Sequence, residues 1–108
     1  MTNDQRPFRT INDLIARNKA AGLRFFDKPS LRFFRSRVSS RIYPCSGGAF
    51  FVTSERNESP YNTQTYPRLY TVRRMTLDGR TETVGEFQEH LTLKAAHRAA
   101  SKAAKEAS

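Results

Sequence analysis

The chain has one cysteine, Cys45, no tryptophan and two histidines, His90 and His97. A lone thiol excludes an intramolecular disulfide. The histidines stand seven residues apart, with no cysteine or second carboxylate at ligand spacing, so no metal site is expected. No apolar run approaches the length of a membrane span. The first residues, MTNDQRPFRT, lack the apolar centre of a secretory signal. The expectation is a reducing, cytoplasmic setting with no membrane partner. Catalytic groupings are missing as well. Cys45 has neither a histidine nor a helix start beside it. Ser46-Gly47-Gly48 lacks the lysine and hydroxyl that complete a phosphate loop. Glu82 and Glu86 read as strand carboxylates facing arginines of a neighbouring strand. The expectation is therefore a non-enzymatic protein with no cofactor, no metal and no small-molecule substrate.

Acidic residues are also scarce. Of the 108 residues, 19 are Lys or Arg and ten are Asp or Glu, a net charge of +9. The excess is unevenly placed. Residues 1–41 carry ten basic and three acidic residues, residues 42–91 five and six, and residues 92–108 four and one. A neutral middle between positive ends suits a polyanion or an acidic protein face. The apolar fraction is 37%, with eight Phe and four Tyr. The aromatics compensate for a small core, since each buries a large area.

Residues 1–9 read as a flexible arm and 10–108 as a single α+β domain. Thr10 and Asp13 form a helix start, and Gly22 suits a left-handed stop, which predicts a helix over 11–21. A second, shorter helix starts at Asp27-Lys28-Pro29. Leu31, Phe34 and Val38 would form its inward stripe, and Lys28, Arg32 and Arg35 a basic stripe. Pro44 to Gly48 reads as a turn, with a short strand over Arg41–Tyr43 before it. Ala49 to Ser54 reads as a strand whose two Phe point to opposite faces. The polar stretch 55–67 reads as a long loop.

Leu69 to Phe87 reads as a hairpin about Asp78-Gly79. A three-residue loop with Gly79 left-handed pairs Val72 with Val84, Arg74 with Glu82 and Leu69 with Phe87. From Thr92 a helix carries a small-residue stripe, Ala96, Ala99, Ala103 and Ala107, and an outer row, Lys94, Arg98, Lys102 and Lys105. The predicted order is two N-terminal helices, a three- or four-stranded antiparallel sheet and a C-terminal helix packed on it, with helices over one face.

The charged ends supply the candidate contacts. Arg24, Lys28, Arg32, Arg35, Arg37 and Arg41 place six cations in 18 residues against Asp27 alone. Arginine grips phosphate or carboxylate through two parallel bonds, which lysine cannot do. Phe25, Phe26, Phe33 and Phe34 interleave with them, in a pattern that suits base stacking, with at most one of the four expected to be exposed. Lys94, Arg98 and Lys102 form a second basic row. These nine cations are the predicted site, and DNA or RNA is the predicted partner, through phosphate contacts. An acidic host protein or nucleoprotein is the alternative.

Three resemblances add to this reading. Presenting Lys94, Arg98 and Lys102, the last helix resembles that of double-stranded-RNA-binding domains, which also run helix, three antiparallel strands, helix. That likeness covers about residues 68–105 and lacks the lysine-pair signature, Lys94 being at best a single match. The strand-strand-strand-helix half also resembles arm-type DNA-binding domains of phage integrases. Over nearly the whole chain, NDLIARNKAAGLRFFDKPSLRFFRSRV, GGAFFVTSE and YTVRRMTLDGRTETVGEFQEHLTLKAAHRAA resemble small uncharacterised proteins of phages and other mobile elements. That resemblance implies no site residue. It implies a set of roles: regulating transcription, or blocking a host defence as an anti-restriction or anti-CRISPR inhibitor.

Overall fold

A computed structural model describes residues 8–32, 36–56 and 67–107. Along them run α1 (Ile11–Ala20), α2 (Lys28–Arg32), β1 (Arg37–Cys45), β2 (Gly48–Glu55), β3 (Leu69–Thr76), β4 (Thr81–Val84) and α3 (Leu93–Glu106). The strands form one antiparallel sheet in the order β1-β2-β3-β4. The fold is α+β, with α3 packed on the sheet.

α1 starts and stops on the residues that predict it. The Asp13 carboxylate accepts from the backbone N–H of Arg9 at 2.8 Å and of Thr10 at 3.0 Å. These bonds hold the Asp13 carboxyl below its usual range, the Arg9 N–H most of all. Gly22 follows the helix with φ +79°. Phe8 departs from the expected flexible arm. It is buried with Leu14, Phe51 and Met75, so the ordered unit begins ahead of α1.

α2 is described over Lys28–Arg32, and Val38, the last residue of its expected inward stripe, lies on β1. Phe33, Phe34 and Arg35 lie outside the described residues, as does most of the expected 55–67 loop. β1 is longer than predicted and runs through Pro44 to Cys45. Cys45 pairs with Gly48, which leaves Ser46-Gly47 as a two-residue turn. Proline is tolerated here because β1 is an edge strand, where a missing N–H can face outward.

The β3–β4 hairpin takes the predicted register, with Val72 opposite Val84 and Arg74 opposite Glu82. Its loop is Leu77-Asp78-Gly79, closed by a bond from the Thr76 N–H to the Arg80 carbonyl at 2.9 Å. Gly79 has φ +93°, and a Cβ there would lie 2.8 Å from the Arg17 carbonyl oxygen of α1. The predicted pair Leu69–Phe87 does not form. β4 ends at Val84, the chain turns at Gly85, and Tyr70 instead exchanges two backbone bonds with His90.

Helices cover both faces of the sheet, not one. On the first face Ala96, Ala100 and Ala104 of α3 bury against Cys45, Phe50, Val52 and Val72. The buried row is thus the i, i+4, i+8 set. Ala99 and Ala103 flank it and Ala107 is exposed. Small side chains let α3 approach the strands closely. On the second face Phe8, Leu14, Phe25 and Phe26 pack on Ala49, Phe51 and Met75. Phe50 and Phe51 therefore do serve opposite cores, as alternation requires.

Asn18 of α1 ties the second face together. It is buried, its Nδ2 donates to the Gly79 carbonyl at 2.8 Å, and its Oδ1 accepts from the Phe25 N–H at 3.0 Å. Glu55, fully buried at the end of β2, accepts from the Thr71 hydroxyl at 2.8 Å and pairs with Arg73 at 3.4 Å. The Arg73 guanidinium lies over the rings of both Phe25 and Phe87. Glu55 and Arg73 thus satisfy each other's charge inside the fold.

Candidate polyanion-binding groove

Two elements build the site. α3 begins with Thr92, whose hydroxyl accepts from the Ala95 N–H at 3.1 Å, and runs on residues of high helix propensity. With Ala96, Ala100 and Ala104 turned to the sheet, helical spacing carries Lys94, Arg98, Lys102 and Lys105 to the exposed side. His97 and Ser101 lie half-buried between the two rows.

β1 supplies the opposite wall. Arg37, Ser39, Arg41, Tyr43 and Cys45 alternate along it, which sends their side chains to one face. Cys45 joins the α3 core, Arg41 and Tyr43 line a groove against α3, and Arg37 and Ser39 line a neighbouring cavity. Between Val38 and Ile42 the register with β2 shifts. Such an irregularity bends an edge strand locally.

The groove between β1 and α3 has a volume of about 410 Å³. Among the described residues five cations line it, Arg41 from β1 and Lys94, Arg98, Lys102 and Lys105 from α3, and no carboxylate does. Five like charges facing one cleft make a field that attracts anions. Arg41 is held over the ring of Tyr43, 5.4 Å from its centroid. The four helix cations span twelve residues, eleven steps or about 16 Å at the helical rise.

His97 pins α3 to β1. Its Nδ1 lies 2.9 Å from the Tyr43 hydroxyl and its Nε2 3.1 Å from the Ser39 Oγ. A neutral imidazole donates through one nitrogen and accepts through the other, and hydroxyls suit either role. Burial, and then the charge of Arg41, lower its pKa below the ordinary value. Ser39, His97 and Tyr43 have the outline of a nucleophile, a base and an orienting group. The third group is a neutral phenol, so no carboxylate stands behind the ring to stabilise a protonated form. The arrangement is a tether. Cys45 is buried, which removes the thiol from the surface.

The predicted site residues separate into three sets. Arg41, Lys94, Arg98 and Lys102 meet in the groove. Arg37 lies in the adjoining cavity. Arg24 lies on the link between α1 and α2, ion-paired with Asp27 at 3.1 Å, and Lys28 is exposed on α2. Arg35 and the side chain of Arg32 lie outside the described residues. The described part of the basic segment 24–41 is therefore divided between a loop, α2 and an edge strand. Phe25 and Phe26 pack edge-on, 4.9 Å apart, and both rings pack against Phe51, so they serve the core. Lys105, Tyr43, His97 and Ser101 complete the groove beyond the predicted residues. The signal for Lys105, His97 and Ser101 was the spacing 94, 97, 98, 101, 102, 105, a single helix face; Tyr43, on β1, had no such signal.

Among the described residues no group of His, Cys, Asp and Glu could hold a metal ion, and no helix is long and apolar enough to cross a membrane. No curated protein and no solved structure matches the chain. A family match does cover α1, the sheet and most of α3, from residue 10 to residue 101. The chain belongs to this family, the family of unknown function DUF7447.

Proposed function

We propose that the protein is a non-enzymatic nucleic-acid-binding module that holds a phosphate backbone in the groove between β1 and α3. The observation that carries the reading is the convergence of Arg41, Lys94, Arg98, Lys102 and Lys105 on one cleft, with no carboxylate in its lining among the described residues. These side chains are anchored on regular elements, which presents the row in a defined geometry. Phosphate contacts position a strand without reading its sequence, so binding to many sequences is expected. Tyr43 and His97 are committed to each other and serve the groove as a rigid floor. A salt titration of binding to duplex DNA, single-stranded DNA and RNA tests the reading. Affinity should fall steeply with salt, and no binding to any of the three at low salt would rule it out.

A second reading is favoured by the free edge of the sheet. β1 borders the groove and pairs only with β2 among the described strands. An edge strand offers backbone hydrogen bonds to a protein partner. On this reading the chain is a phage or mobile-element inhibitor or adaptor, of anti-restriction or anti-CRISPR type, that docks an acidic face of a host protein or nucleoprotein. The outcome that separates the two is binding to an acidic protein that persists when excess duplex DNA is added.

A further inference from the structure

The groove holds a titratable ring among its cations. His97 stands on α3 with Lys94 one turn before it, Ser101 one turn after it and Arg98 beside it. Across from it on β1, Arg41 lies over the ring of Tyr43, and that ring is 5.7 Å from the imidazole. An imidazolium here would be the sixth positive charge in a cleft already lined by five cations. Burial of the ring, and then the charge of Arg41, keep its pKa below the ordinary histidine value. The other elements packed on α3 leave that balance in place. β1 adds a further cation, Arg37, beyond Ser39. β2 turns Phe50 and Val52 to the helix, and neither titrates. β3 turns Tyr70 and Arg74 to the same side, and Arg74 is paired with Glu82 of β4 at 3.8 Å.

The contacts of the ring suit either protonation state. In the neutral ring one nitrogen accepts from a hydroxyl and the other donates to one. In the imidazolium both nitrogens donate, and the Tyr43 and Ser39 oxygens, at 2.9 and 3.1 Å, can both accept. The hydroxyl that had donated to the ring only has to turn its hydrogen elsewhere. Protonation therefore keeps the tether between α3 and β1, and the obstacle to it is charge and burial, not bond geometry. A polyanion lying along the cation row reduces the charge part of that obstacle, because its phosphates offset Arg41 and its neighbours and favour the charged ring.

We propose that the groove binds its polyanion together with a proton, which His97 takes up. The inference rests on the nucleic-acid reading and names the regulation of that site. Linkage is reciprocal: an anion that favours the protonated ring is held more tightly once the ring is protonated. Affinity should therefore rise as pH falls through the titration of the bound state. It should level off once the free protein is protonated as well. A single proton taken up per complex limits the rise to about tenfold per pH unit.

The test is binding of a labelled duplex and a labelled single strand to the full chain, at fixed salt, between about pH 7.5 and 5.5. Both strands carry hydroxyl ends, so that they hold only diester phosphates, which do not titrate in this range. The wild type should bind about fivefold or more tightly at the lower pH. His97→Gln, whose amide does not titrate, should lose most of that ratio. His90→Gln, which removes the other histidine, should keep it. A readout on the wild type stands even where His97→Gln fails to fold: the His97 ring resonances, followed by NMR against pH, should titrate at higher pH with the duplex bound than without it. A strand that binds equally across the range, a His97 titration that the duplex leaves in place, or an equal ratio in wild type and folded His97→Gln overturns the inference and leaves the groove reading intact. No binding of either strand at any of these pH values overturns both.

Discussion

Neutralising two groove cations together, Arg98→Gln with Lys102→Gln, isolates the electrostatic part of binding. Both side chains are exposed and line the groove, and neither packs in a core cluster, so the fold should be kept. If all five groove cations contact duplex phosphates, log affinity should fall against log salt with a slope of about −4.5, since each neutralised phosphate contributes about −0.9. Between 50 and 200 mM salt the wild type should then lose roughly 500-fold in affinity. Removing two contacts brings the slope to about −2.7 and the loss over the same range to roughly 40-fold. Fluorescence anisotropy with a labelled duplex reads both slopes, and circular dichroism checks that the variant is folded. Arg24→Gln is the control, because Arg24 pairs with Asp27 outside the groove. It should leave the slope unchanged. A folded double variant with the wild-type slope would refute the assignment of phosphate contacts to α3. So would an Arg24→Gln protein with an equally reduced slope.

Three further outcomes follow from the fold. Phe51 is fully buried between Phe25, Phe26 and the α1 core, so Phe51→Ala should cost about 3–5 kcal/mol in urea denaturation, an amount that threatens folding of a small domain. Asn18→Ala removes both partners of a buried staple and leaves the Gly79 carbonyl and Phe25 N–H unpaired, which should cost about 1–3 kcal/mol; a neutral result in the same assay would show that water replaces the side chain. The lowered pKa of His97 means the unfolded chain takes up its proton first as pH falls. Stability should therefore be level above about 6.5, the ordinary histidine value, and decline below it, and His97→Gln should flatten that part of a pH series of thermal melts.

Much of the framework could be read from local chemistry. Thr10, Asp13 and Gly22 delimit α1 because capping and glycine stops act within one helical turn, independent of the rest of the fold. Gly79 sets the β3–β4 loop, and with it the Arg74–Glu82 register, for the same reason. β1 was harder to read. Arg37 to Cys45 alternates with period two, yet Leu31, Phe34 and Val38 also match period three to four across its start, and Pro44 suggests a turn. The strand wins because Val38 and Ile42 join the Phe51 core while Tyr43 and Cys45 join the α3 core. Only a strand at the sheet edge sends neighbouring residues to both sides and tolerates the proline. The site followed from that difference. With residues 37–41 on a strand, the basic N-terminal segment no longer forms one face, and its arginines divide among separate places.

The sequence by itself determined the α+β class, the helix caps, the central hairpin and the exposed cation row of α3, all set by contacts within a few residues. Tertiary structure alone decided that helices cover both faces, that Phe8 belongs to the core and that Asn18 closes onto Gly79. It also decided that Arg41 faces Lys94, Arg98, Lys102 and Lys105 across one groove while Arg37 joins Arg56 and Arg68. Those pairings join residues far apart in the chain, and they depend on which face of the sheet each strand side chain takes. No local pattern carries that information, because it exists only once both cores are packed.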